Sequence, residues 1–379
     1  MDLRSIAVVA AAVEANVPVL LWGPPGAGKT SLVSKVLVQW GYDTQIVTGN
    51  VREPADFAGL PRESGSDDVV FVAPRWAKRA SEQPKAAVVL DELSTSTPAV
   101  QAAMLRVVLE RYAGDLRIGE HVRFVACANP PEQAADGFDL AAPLANRFCH
   151  LDVAPDLALW QAGMTIGWTE AMPDLASLPV LRLNVSQIRD AESAMSSKIA
   201  TFIAHRPDLL SCIPTDMTSK GRAFPTPRTW EFAARLLSRL ALGADAERLL
   251  ALGGLVGRGP ALEFLAWERS SDLPDAADVL RNPKIYKWSD PRLDRTYAVL
   301  SSVAAFVSNH FTEKAVGNMW KVFAAANDAG RGDIAAVCYD AVAKMSGFGD
   351  FEVPAVAADL APVMSTIRRY SPRKLKAAS

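Results

Sequence analysis

The chain carries almost no net charge. Its 40 Lys and Arg and 42 Asp and Glu leave −2 at neutral pH. This excludes a whole-protein basic footprint for nucleic acid, though not a local basic patch. Cysteine is scarce too. Cys127, Cys149, Cys212 and Cys338 lie 22, 63 and 126 residues apart. No CxxC or Cys/His ligand spacing occurs, so buried, reduced thiols in a cytoplasmic protein are expected rather than a disulfide framework or a zinc site. Long apolar runs are also missing. Ile6–Val13 ends at Glu14, far short of the ~20 residues of a bilayer span. Arg4 alone precedes it as a basic residue and no cleavage pattern follows. Residues 4–14 are therefore read as a helix packed on the domain behind it, not a leader.

What is present is apolar substance. Half of the 379 residues are hydrophobic, enough for a large core. At ~150 residues per domain the length suggests two or three domains. Up to residue 155, short apolar runs alternate with amphipathic segments, which predicts an α/β layer with a mainly parallel sheet. Val17–Trp22, Thr44–Thr48, Ala87–Leu90, Val122–Ala128 and Cys149–Val153 read as its five strands. Lys29–Gln39 and Pro98–Leu109 have helical spacing. The second puts Val100, Ala103, Met104, Val107 and Val108 on one face, with Thr97 as N-cap and Pro98 at the first position. Residues 156–185 read as a linker with little regular structure. Helices are expected over Ser186–Ala204, Arg228–Leu242, Asp245–Leu252 and Pro260–Ser270. A proline-punctuated connection follows over 273–290, then a helical block from Asp290 to about Arg369 and a basic, frayed tail.

Gly23-Pro24-Pro25-Gly26-Ala27-Gly28-Lys29-Thr30, followed by Ser31, fits GxxxxGK[ST] between a strand and a helix. Its glycines let backbone N–H groups approach phosphate oxygens, and the helix N-terminus favours an anion. Lys29 is placed for the β- and γ-phosphates and the Thr30 hydroxyl for Mg²⁺. Val88–Leu90 runs into Asp91 and Glu92, 62 and 63 residues after Lys29. Asp91 suits Mg²⁺, and Glu92 suits polarising an attacking water. Together these motifs specify a P-loop NTPase. Asn129 ends another apolar strand; it orients the water or belongs to a plain Asn-Pro turn. Arg147 reaches a neighbouring subunit's γ-phosphate or is a surface arginine. Arg228, opening a helix after Thr226 and Pro227, swings onto the phosphates or makes a structural ion pair.

GPPGAGKT, VVLDEL, ACANP, LANRF and TPRTW, in that order, resemble the AAA+ ATPases and, within them, the MoxR-like branch. The resemblance implies the roles of Walker A, Walker B, sensor 1, arginine finger and sensor 2. It covers residues 1 to about 270. Asp56–Pro74, with its turn at Glu63–Asp68, and Arg111–Phe124, with its turn at Gly119-Glu120, resemble the branch's two inserted hairpins, which in the family face the ring's centre and touch partners. The resemblance implies three parts: a nucleotide-binding core over 1–155 with a parallel five-stranded sheet flanked by helices, a helical lid over 156–272, and a helical extension over 273–379. It further implies ATP with Mg²⁺, a base stacked near Ile6–Ala10, and a homo-oligomer, usually a hexameric ring. The implied work is remodelling of a partner protein, often one with a von Willebrand factor A domain, for cofactor insertion or complex assembly.

Other readings stay open. A nucleotide-dependent scaffold or switch with slow hydrolysis would carry the same motifs. A small-molecule kinase is disfavoured by Asn129, Arg147, Arg228 and the long helical second half. A DNA-handling motor is disfavoured by the near-neutral charge. Thr48 and Asn50 either hold Glu92 inactive or cap a loop. Arg106, Arg111, Arg117 and Arg123 form either a contact patch or a solvated face among Glu110, Asp115 and Glu120. His121, His150 and His205 share no ligand spacing and are assigned no role.

Overall fold

A computed structural model describes residues 1–65, 68–133, 138–271 and 273–343 of the chain. It divides into two compact units, one formed by Met1–Arg182 with Asp208–Glu263, the other by Leu183–Pro207 with Phe264–Ser379.

The first unit opens on α1 (Leu3–Glu14). Asp2 caps it by accepting the Ser5 N–H at 2.8 Å. Ser5 to Val13 are all buried, as an all-apolar helix requires. β1 (Val19–Trp22), α2 (Lys29–Gln39), β2 (Asp43–Thr48) and the short α3 (Ala55–Ala58) follow. A hairpin of β3 (Leu60–Glu63) and β4 (Val69–Val72) precedes α4 (Arg75–Glu82) and β5 (Ala86–Asp91). Then come α5 (Pro98–Glu110), the two-residue strands β6 (Tyr112–Ala113) and β7 (Leu116–Arg117), and β8 (Val122–Ala128). The short α6 (Ala142–Ala145) leads into β9 (Cys149–Asp152). Five strands form one sheet in the order β2-β5-β8-β1-β9, every pairing parallel. β1, β5 and β8 are covered on both faces, hence their continuous apolar runs. Trp22 pairs with Ala128 and Leu90 with Ala126. That register puts Gly23, Asp91 and Asn129 at one end of the sheet, where open α/β sheets bind ligands. In α5 the Thr97 hydroxyl accepts the Val100 N–H, and Val100, Met104, Val107 and Val108 are buried.

Residues 156–185 hold more order than their prolines suggested. Asp156 accepts the Leu159 N–H at 2.8 Å and starts α7 (Leu157–Ile166). Gly163 is its one buried residue. The run LALWQAGMTI lacks the polar face that would mark a helix in sequence. The second hairpin also differs from expectation. Its turn is Gly114-Asp115, between Ala113 and Leu116, with Gly114 at φ +60°, a left-handed conformation that glycine adopts without strain. Gly119 instead closes a separate turn, its carbonyl accepting the Val122 N–H at 3.1 Å. In the first hairpin β3 and β4 pair antiparallel as expected; residues 66–67 of its expected turn lie outside the described residues.

The second unit takes α8 (Val185–His205), started by a reciprocal Asn184–Gln187 capping box. α9 (Met217–Lys220), α10 (Pro227–Leu237) and α11 (Asp245–Val256) return to the first unit. α10 stops five residues before its expected end at Leu242. α12 (Arg258–Ser271) leads to α13 (Ala276–Arg281), α14 (Leu293–Asn309), α15 (Glu313–Asp328) and α16 (Gly332–Val342). The expected bare connection over 273–290 therefore contains a helix, begun by Asp275 as N-cap. The second unit's core includes Val299, Val303, Met319, Trp320 and Phe323. Lys198 of α8 pairs with Glu268 of α12 at 3.1 Å. The expected helical stretch over 344–369 and the basic tail lie outside the described residues. Among the described residues, no helix is long and apolar enough to cross a membrane. Cys127, Cys149 and Cys338 are buried free thiols; Cys212, expected to be buried, is exposed.

Candidate nucleotide site

The phosphate loop leaves β1 at Trp22 and enters α2 at Lys29. Gly26 and Gly28 have φ of +76° and +77°, which L side chains rarely adopt. A Cβ on Gly26 would meet nothing within 4 Å, so the loop's backbone is open on that side. A Cβ on Gly23 would lie 2.4 Å from the Val153 carbonyl, so this crossing admits only glycine. The Lys29 ammonium is folded back into the loop. It donates to the carbonyls of Gly23 (2.8 Å) and Pro24 (3.1 Å) and to Asn129 Oδ1 (2.8 Å). Burial lowers its pKa, against the pull of Glu92 and Asp91.

Beside it stands the carboxylate pair. The Thr30 hydroxyl donates to Asp91 Oδ1 at 2.8 Å. Glu92 is a non-glycine residue at φ +57°, a conformation that stores strain and that the surroundings must over-determine. They do so here. Its N–H donates to Asp91 Oδ1 (3.1 Å), and its carbonyl accepts from Ser96 Oγ (2.8 Å). Its carboxylate oxygen Oε2 accepts from Thr95 Oγ1 (2.9 Å) and Asn129 Nδ2 (3.0 Å). Asn129 is thus a two-ended bridge between Lys29 and Glu92. Ser94 holds it in turn: Asn129 N–H donates to Ser94 Oγ (3.0 Å), which donates to the Asn129 carbonyl (2.8 Å). Among the described residues Glu92's side chain is held by Thr95 and Asn129, not by Thr48 or Asn50.

Arg147 and Arg228 stand outside this cluster. Arg147 follows α6, half-buried, and its Nε is buried with no hydrogen-bond partner. Arg228 is exposed in the first turn of α10 and makes no ion pair among the described residues. The segments carrying them are joined by a residue that sequence reading passed over. Asn146, 6% exposed, accepts from Thr226 Oγ1 at 2.9 Å and donates to the Phe224 carbonyl at 3.3 Å. Thr226 also caps α10 in a reciprocal box with Thr229. Behind lies a second buried group. His150 Nδ1 accepts the Trp22 indole N–H at 2.9 Å, and its Nε2 is 2.8 Å from the Ala145 carbonyl. This pairing sets the tautomer with the proton on Nε2. Burial pushes the His150 pKa down to about 4. Arg222 lies over the Trp22 ring at 4.3 Å and pairs with Asp152 at 2.8 Å.

Residues 18–148 match the family model of the AAA domain, dynein-related subfamily. The five-stranded parallel core with its phosphate loop has the P-loop NTPase fold. Its donor set fits a nucleotide with a divalent cation. The Thr30 hydroxyl and Asp91 carboxylate are hard oxygen donors suited to Mg²⁺, and the open glycine backbone with Lys29 suits phosphate. Ile6–Ala10 do not offer the expected surface for the base, because all five are at most 1% exposed.

In this core the two hairpins are bonded to each other. The Phe71 N–H donates to Asp115 Oδ2 (2.7 Å), and the Asp115 N–H donates to the Phe71 carbonyl (3.0 Å). A Cβ on Gly114 would sit 2.4 Å from that carbonyl. Most of the neighbouring arginines serve the structure. Arg111 donates to the Ile118, Gly119 and Val122 carbonyls, Arg123 to those of Val13 and Glu120, and Arg106 pairs with Glu110.

Proposed function

We propose that the chain is a Mg²⁺-dependent ATP hydrolase of the MoxR-like AAA+ branch. It acts in the cytoplasm as a homo-oligomeric, hexameric ring that remodels a partner protein, of the von Willebrand factor A class, in cofactor insertion or complex assembly. Nucleic acid is not its substrate. Residues 1–155 serve as the nucleotide core, 156–272 as the lid carrying Arg228, and 273–379 as a helical extension. The observation that carries the reading is the bonded set Lys29–Asn129–Glu92 beside Thr30–Asp91.

The chemistry follows from that set. When phosphate arrives, Lys29 exchanges its carbonyl and Asn129 partners for phosphate oxygens. Gly23 to Gly28 and Ser31 supply the cradle and its flank. Thr30 and Asp91 would hold Mg²⁺, which would supply neutralisation of charge on the transferred phosphoryl group. Glu92 has both bonded donors on Oε2, which leaves Oε1 to accept a proton from the attacking water. Asn129, released by Lys29, turns its amide to that water. Arg147 of a neighbouring subunit and Arg228 offset the charge that develops.

Particle size with and without ATP, in a Glu92→Gln variant that binds but does not turn over, tests the ring. ATP should drive assembly, and a persistent monomer would overturn it. The alternative, a scaffold or switch with slow hydrolysis, draws on the same resting network, in which Lys29 and Glu92 are both tied to Asn129. Negligible turnover under every condition, with tight nucleotide binding, would favour it.

A further inference from the structure

Beside the phosphate loop lies a cavity of about 450 Å³, within the size range of small-molecule sites. One side is Gly26, Ala27, Gly28 and Ser31; the other includes Leu159, Trp160 and Trp168. The second wall is made by α7, the helix within the stretch expected to be a linker. Trp160 projects from it with 52% of its surface exposed, a large uncovered indole next to an anion cradle. Trp168 is placed differently. It follows Gly167, at φ +96°, and its ring is pressed on Gly163, where a Cβ would come within 2.5 Å of Cε3 and 2.6 Å of Cδ2. Gly163 therefore keeps α7 flat enough for the indole to lie against it. The cavity thus has a fixed aromatic wall, an open aromatic face and the phosphate loop at its edge. Ile6–Ala10 are buried and supply none of it.

We propose that this cavity receives the base and ribose of the nucleotide, with the Trp160 indole as the stacking face and Trp168 as the rigid wall. Stacking strength grows with π area, so the site favours purine over pyrimidine nucleotides. The inference rests on the nucleotide reading above, because the occupant is identified by the loop that would hold its phosphates. Leu159 adds apolar surface, and Pro155 lines the same cavity.

The test measures binding of ADP, UDP and inorganic tripolyphosphate to the full-length protein and to Trp160→Ala and Trp160→Phe. Base–aromatic stacking predicts about a tenfold to hundredfold loss of ADP affinity in Trp160→Ala. Affinity for tripolyphosphate, which engages the loop alone, should not change, and it also reports that the variant is folded. Trp160→Phe should recover most of the ADP affinity, and UDP should bind the native protein more weakly than ADP. ADP affinity unchanged in Trp160→Ala, with tripolyphosphate still bound, would overturn this proposal and leave the nucleotide reading intact. Failure of the native protein to bind either ADP or tripolyphosphate would overturn both.

Discussion

Two polar clusters flank β1, and they are built to opposite ends. One joins Lys29, Thr30, Asp91, Glu92 and Asn129 at the strand termini. Its members bond to one another, yet they border an open glycine backbone and can exchange partners. The other joins Trp22, Ala145, Asn146, His150 and Thr226. Trp22, Asn146 and His150 are each under 9% exposed and their bonds are satisfied internally. It holds the segments that carry Arg147 and Arg228. The first cluster has the makings of a reacting centre; the second is a frame. Similar polar groups yield different properties because burial removes the choice of partner.

The sharpest way to break this contrast is Arg147→Ala. In the proposed trans role, the arginine should be worth about 10³- to 10⁵-fold in turnover, with ATP binding nearly unchanged. Normal hydrolysis by that variant would remove the interface role. The frame should respond to acid instead. The His150 pKa in the fold, about 4, lies below its ordinary 6.5. The unfolded chain therefore binds the extra proton first as pH falls. The contribution is complete above pH ~6.5, is lost progressively toward pH 4, and amounts to about 3 kcal/mol. Unfolding free energies at pH 7 and 4.5 check this against His150→Gln, which lacks the titration and should show a correspondingly smaller loss. Asn146→Ala removes one of two hydrogen-bond partners from the Phe224 carbonyl and the tie to the Thr226 hydroxyl, each of which keeps Thr229, and should cost about 1–2 kcal/mol in denaturant unfolding. Thr95→Val is expected to have the mildest effect. It removes one of two donors on Glu92 and should lower kcat about tenfold with nucleotide affinity kept, while Thr95→Ser retains the native rate. A faster Thr95→Val enzyme would make Thr95 a brake rather than a support.

The first cluster was largely legible before folding was considered. Asp91, Glu92 and Asn129 end or directly follow apolar strands, Lys29 and Thr30 close the glycine loop that leaves a third, and parallel strands in register bring such positions together. The frame was not legible. Asn146 finds its partners 78 and 80 residues away, and no local pattern encodes such a distance. Thr95 was missed because its bond to Glu92 depends on that residue's left-handed backbone. Gly114-Asp115 and Gly119-Glu120 are chemically alike as turn dipeptides. The bond between Asp115 and Phe71 of the other hairpin distinguishes them. α7 went unread because an apolar run without a polar face shows no period.

The amino-acid sequence by itself determined the parallel sheet, the phosphate loop, the carboxylate pair and the candidate roles of five side chains. All of these follow from local patterns: strand hydrophobicity, glycine spacing and the residue that ends each strand. Only the tertiary structure decided how Glu92 is held, which residue ties the Arg147 and Arg228 segments together, and which aromatic surface stands beside the loop. Those depend on contacts between segments far apart in the chain, where burial and approach distance select partners that composition and spacing leave undetermined.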